Sequence, residues 1–235
     1  GSPYLRALML RDPQFLADLF NHAPEDELAL LCAGLHTAQS LLTQAEIMTA
    51  LRHAKAKASL LIALADLGEV WSVDAVTGAL TRFADAMLGA AIKWLLLDAT
   101  RAGKFNCVDS GDPARHSGYV ALAMGKHGAG ELNYSSDIDL IILYDPEIAP
   151  VAEGVEPATF FVRLTKRLVT ILQDVTEDGY GFRVDLRLRP DPRATQVAIA
   201  LEAAAIYYES MGQNWERAAM IKARAAAGDI GLGME

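Results

Sequence analysis

Apolar positions recur three and four apart through residues 3–100. Leu5, Leu8, Leu10, Phe15, Leu16 and Leu19 trace the first helical stretch, and Pro13 after Asp12 opens a new turn. The run LLTQAEIMTALRHAKAKASLLIALADLG keeps helical composition and stops at Gly68. Ser72 can cap the next helix, in which Val76, Leu80, Phe83, Met87, Ala91 and Trp94 fall at helical spacing. This pattern predicts a helical packing unit over 3–100 and offers no catalytic grouping.

The period then changes. Residues 101–118 are polar and turn-rich, as expected of a connecting loop. YVALAM at 119–124 and DIDLIILYD at 137–145 read as short strands. A helix opens at Pro157, carries Phe161, Leu164, Leu168, Ile171, Leu172 and Val175 on its apolar side, and ends at Gly179. YGFRVDLRLRP at 180–190 predicts a third strand stopped by Pro190. LEAAAIYYESMG predicts a helix closed by Gly212, and Asn214 would cap a last helix, WERAAMIKAR. A small mixed β/α unit over 101–235 thus follows a helical one, which makes the fold class α+β.

Composition narrows the function. The 235 residues are 52% hydrophobic and 22% charged, with a formal net charge of −9. Such acidity opposes a nucleic-acid partner. No uninterrupted apolar run approaches the length of a membrane span, and no basic-then-apolar leader is expected from the opening residues, so no membrane partner is expected. Cys32 and Cys107 lie far apart and read as reduced thiols of a cytoplasmic protein. The scattered histidines carry no ligand pattern, and His127 reads as a replacement for an apolar turn residue. Trp215, Tyr207 and Tyr208 read as packing residues.

The chemistry concentrates in GKHGAGELNYSSDID, residues 125–139. On a strand, Asp137 and Asp139 share a face. Two neighbouring carboxylates repel unless a cation intervenes, and oxygen ligands alone select Mg²⁺ or Mn²⁺. In RVDLRLRP, Asp185, Arg187 and Arg189 share the face opposite Val184, Leu186 and Leu188. Lying beside the second strand, this segment would add Asp185 as a third ligand and two arginines for phosphate oxygens. Gly125, Gly128 and Gly130 would bring backbone N–H groups to phosphate, with Lys126 adding charge. Ser135 and Ser136 would bind phosphate or shape the approach to the strand. Lys126 also reads as an ordinary turn lysine, and the two arginines as a solvated strand face. Three acids holding two metals suit in-line attack on phosphorus.

These motifs resemble the bifunctional glutamine synthetase adenylyltransferase/adenylyl-removing enzymes. The family's G-x11-D-x-D signature stands at 125–139, its RVDxRLRP at 183–190, and its YY…G…WERxAMxKAR at 207–224, followed by AGD at 227–229. The first hundred residues match loosely. The resemblance implies a polymerase-β-like nucleotidyltransferase core with helical additions, and a much longer whole protein of which this chain is a fragment, its core cut short at the C-terminus. NYSSDIDLI and WERAAMIKAR are closer to the family's adenylyl-removing core. That core takes AMP from a tyrosine of glutamine synthetase by Mg²⁺-dependent phosphorolysis, releasing ADP. Its partners are glutamine synthetase and the PII signalling protein. Transfer of AMP from ATP, or a non-catalytic docking fragment, are the alternatives. His127 and Ala129 depart from the family's usual Leu and Gly.

Overall fold

A computed structural model describes residues 2–234. The helical period is met by α1 (Pro3–Arg11), α2 (Pro13–Leu19), α3 (Pro24–Thr37), α4 (Gln44–Leu67) and α5 (Val73–Arg101). Side-chain caps set the starts of all of these except α3, which opens on Pro24. Asp12 accepts from the Phe15 N–H at 3.0 Å and Ser72 from the Ala75 N–H at 3.2 Å. Thr43 and Glu46 form a reciprocal capping box that opens α4. Gly68 caps the C-terminus of α4, as its position predicts.

The second half contains β1 (Tyr119–Ala123), one helical turn α6 (Gly125–Gly128), β2 (Ile138–Tyr144), α7 (Pro157–Gln173), β3 (Val184–Asp185), β4 (Ile199–Ala200), α8 (Leu201–Ser210), α9 (Asn214–Met220) and β5 (Arg224–Gly228). The sheet runs β3-β2-β1-β5, with β4 also beside β2. Strand β1 is antiparallel to β2 and β5, while β3 and β4 run parallel to β2. The mixed sheet with helices bears out the α+β reading.

Alternation along β2 divides its side chains as the sequence predicts. Ile138, Leu140, Ile142 and Tyr144 join one core with Tyr119, Ala121, helices α3 to α5 and α7. Ile141 and Leu143 join a smaller cluster with Val120, Leu122 and Ile199. Helix α7 clamps the first face: Phe161 stacks on Tyr119 and Tyr144 at 5.5 and 4.8 Å, and the Tyr119 and Thr165 hydroxyls bond at 2.9 Å. The larger core runs without a break across residue 101.

Four local expectations are corrected. The third strand is two residues long, because Asp185 Oδ1 accepts the Arg187 N–H at 2.8 Å and turns the chain. Helix α7 stops at Gln173, which leaves Val175 exposed. The last helix is capped by Gln213 rather than Asn214 and stops at Met220 rather than Arg224, which instead opens β5 beside β1. Trp215 is exposed and donates to Gln213 Oε1 at 2.8 Å rather than packing inside. The expectation about apolar runs also changes. Helix α5 is long and apolar enough, by length and composition, to cross a membrane, yet 61% of its most apolar window is buried within the fold.

Candidate active site

Parallel pairing of β2 and β3 sets Ile138 opposite Val184 and Asp139 opposite Asp185. The placement of Asp185 beside the second strand is therefore as the alternation predicts. Asp137 lies two residues before Asp139, ahead of the first ladder pair. These three acids meet at the mouth of β2, where β3 forms the sheet edge.

Each acid has a different environment. Asp137 Oδ1 accepts from Arg183 Nε at 2.5 Å, and Arg183 also donates to the Ser135 carbonyl at 2.6 Å. Asp185 receives Arg187 in a forked contact, with Nε at 3.0 and 2.9 Å from its two oxygens and Nη2 at 2.5 Å from Oδ2. Asp139 has no cation within ion-pair distance among the described residues. The electrostatics follow from this difference. Burial, then the Asp185 and Asp137 charges, pushes the Asp139 carboxyl above its usual range. The hydrogen bond from Arg187 holds Asp185 below it, outweighing burial.

The glycine turn is ordered. Gly125 to Gly128 form one helical turn, and the Gly128 and Ala129 N–H groups bond back to the Met124 and Gly125 carbonyls at 2.8 and 3.1 Å. Gly125 has φ +53, and a Cβ there would stand 2.7 Å from Asp139 Oδ2. The glycine lets the carboxylate lie against the backbone. At Gly128 a Cβ would come within 2.0 Å of the Lys222 carbonyl oxygen, so that glycine serves chain packing rather than an open phosphate approach. Lys126 is exposed on the turn. Ser136 Oγ accepts from the Asn133 N–H at 3.3 Å and shapes the approach to β2, one of its two expected roles.

Arg187 is 83% exposed at its side chain, its guanidinium held by Asp185 alone among the described residues. Arg189 is not: it donates to the Leu186, Pro192 and Thr195 carbonyls at 2.7, 2.8 and 3.3 Å. Since the strand ends at Asp185, alternation no longer brings Arg189 to the face of Arg187.

Sequence reasoning missed a second cluster. His127 is fully buried, and its Nε2 lies 2.8 Å from Asp85 Oδ1. Arg224 reaches both Asp85 oxygens at 3.0 and 2.8 Å and the His127 carbonyl at 3.2 Å. The departure from leucine thus ties the glycine turn to α5 and β5. The available signal was Asp85 itself, an acid among the apolar residues Phe83, Ala84, Met87 and Leu88.

Among the described residues no three acidic, histidine or cysteine side chains form a ready cation cage. Arg183 and Arg187 draw two of the three acids toward themselves. The donor chemistry nonetheless fits a hard divalent cation. All three groups are carboxylates, and Asp139 lies under the charge of the other two with no counter-ion of its own.

Comparison with known proteins places the chain among the nucleotidyltransferases. Within that class it belongs to the glutamate-ammonia ligase adenylyltransferase family, whose model matches residues 1–235. The bifunctional glutamine synthetase adenylyltransferase/adenylyl-removing enzyme of Xanthobacter autotrophicus is 52% identical over 99% of the chain and 24% of that relative. Proteins of the same description from Bradyrhizobium sp. ORS 278 and Caulobacter vibrioides are each 50% identical, again over 99% of the chain and 24% of the relative. The chain spans about a quarter of the length of these relatives.

Proposed function

We propose that this chain removes AMP from an adenylylated tyrosine of glutamine synthetase by Mg²⁺-dependent phosphorolysis, releasing ADP. The observation that carries the reading is the Asp139–Asp185 register, with Asp137 two residues ahead and Gly125 against Asp139. The same arrangement supports reading the sheet as a polymerase-β-like core. The direction rests on the wording of NYSSDIDLI and WERAAMIKAR. The names of the relatives include glutamine synthetase and both reactions. Regulation by the PII protein rests on family resemblance alone.

Asp137, Asp139 and Asp185 would hold one or two divalent cations, Mg²⁺ or Mn²⁺. A metal bound there supplies charge stabilisation to the phosphoryl oxygens. Arg187, released from Asp185, is placed to orient the incoming phosphate with Lys126. Arg189 holds the 186–195 loop in shape. An oxygen of inorganic phosphate forms a bond to the AMP phosphorus, and the bond from that phosphorus to the tyrosine oxygen breaks in line. The tyrosine oxygen takes up a proton, and the new phosphoanhydride is ADP.

Incubating the chain with adenylylated glutamine synthetase, Mg²⁺ and phosphate should yield ADP and unmodified tyrosine. Incorporation of AMP from labelled ATP in its place would reverse the direction. The absence of both products would overturn the assignment.

A further inference from the structure

Helices α1 and α4 and the 177–183 loop enclose a cleft of about 920 Å³. That is the size of a small-molecule pocket. Its walls are largely apolar and aromatic, with Leu5, Leu8, Ala63, Tyr134 and Phe182 among them. Ser135, Ser136 and Arg183 form the end nearest the acids.

The charged groups of the cleft are committed, with one exception in its interior. Arg11 pairs with Asp178, which also lies 3.1 Å from His53 Nε2. Arg52 donates to the Met48, Ile171, Asp174 and Gly179 carbonyls. Arg183 holds Asp137, and Asp66 accepts from the Tyr134 hydroxyl at 2.8 Å. Glu177 is exposed at the rim. Lys55 remains. Its Nζ stands 3.5 Å over the Phe182 ring, with no carboxylate in ion-pair reach among the described residues. The side chain keeps some exposure, yet burial of the ammonium lowers its pKa to about 7. The ring contact alone is too weak to replace the water that the ammonium loses.

We infer that this cleft binds a small carboxylate ligand with an apolar, aromatic body, its anionic end on Lys55 and its body between Leu8 and Phe182. Among the described residues lining the cleft, Lys55 is the one cation without an acid or carbonyl partner. Protonated below about pH 7, it supplies the positive charge that such a ligand needs, and the walls supply the apolar area. The inference concerns binding and does not depend on the proposed reaction.

The test titrates 4-phenylbutyrate into the chain by calorimetry and by amide chemical shifts. Saturable binding is expected at about millimolar concentration, as befits a ligand of this size. Lys55→Met should weaken it about tenfold or more, the size of one charge-assisted contact. Lys55→Arg should restore most of it, and Leu8→Trp, which fills the wall and keeps the charge, should also weaken it. The uncharged 4-phenylbutanamide should bind wild type and Lys55→Met equally weakly. Circular dichroism confirms that each variant is folded. Equal affinity of 4-phenylbutyrate for wild type and a folded Lys55→Met, or no saturable binding to wild type, overturns the inference.

Discussion

Two clusters of carboxylate and cation flank the glycine turn, and they contain similar ingredients. On one side, Asp85 is held by buried His127 and by Arg224, between α5 and β5. On the other, Asp137 and Asp185 hold Arg183 and Arg187, both at least half exposed at the side chain, and Asp139 holds no cation. In the first cluster the partners are locked by packing, so the charges fasten helix to sheet. In the second the arginines are solvated, which on the proposed function leaves the charges available to a metal and to phosphate. On that reading, burial of the cation, not the presence of an acid, separates fastening from chemistry.

The sharpest way to break that comparison is Asp139→Asn. On the proposed mechanism, the acid without a counter-ion is the one whose charge the reaction needs. Turnover in the phosphorolysis assay should fall at least about a thousandfold, roughly 4 kcal/mol of barrier, with an unchanged circular dichroism spectrum. Near-normal turnover in the folded variant would show that the open cluster is not the reacting one.

Stability should show the opposite pattern. Asp85→Ala strands buried His127 and part-buried Arg224, and should cost about 2–3 kcal/mol in urea unfolding. Asp137→Ala removes an ion pair whose side chains are 50% and 42% exposed, and should cost about 0.5 kcal/mol or less. Equal losses at the two positions would erase the distinction between the clusters.

The sequence made one cluster legible and hid the other, for a physical reason. Asp137, Asp139 and Asp185 are found by strand alternation, a local rule, plus one guess about which strands are neighbours. The helices of 3–101 were equally readable from their period and caps. His127, Asp85 and Arg224 are distant in sequence and meet only because β5 returns beside β1. That strand is alanine-rich, and its local preference argues for helix, so the contact left no local trace. Arg189 failed for a related reason: alternation was carried four residues past a strand that Asp185 itself ends.

Gly125 joins the two clusters, and its replacement should have an intermediate effect. In Gly125→Ala, φ +53 strains the new residue, and its Cβ pushes Asp139 Oδ2 away from 2.7 Å. The left-handed conformation alone should cost about 1–2 kcal/mol. Because the displaced group is Asp139, turnover should fall as well, beyond what the loss of folded protein explains. Lost stability with full specific turnover would mean that the contact shapes the turn and not the site.

The last effect belongs to a cation with no acid partner among the described residues. Lys55 has its folded value lowered from 10.5 to about 7 by burial. Between those values the unfolded chain holds a proton that the folded chain has released, so stability rises with pH across that window. Below it the folded protein carries the ammonium and its full burial cost. Lys55→Met removes that cost and should raise the melting temperature most near pH 6 and progressively less toward pH 9. Melting scans of both proteins across that range decide it. A gap that stays constant with pH would mean that the ammonium is well solvated in the cleft, and that a cation there is as undemanding as Arg187 in the open cluster.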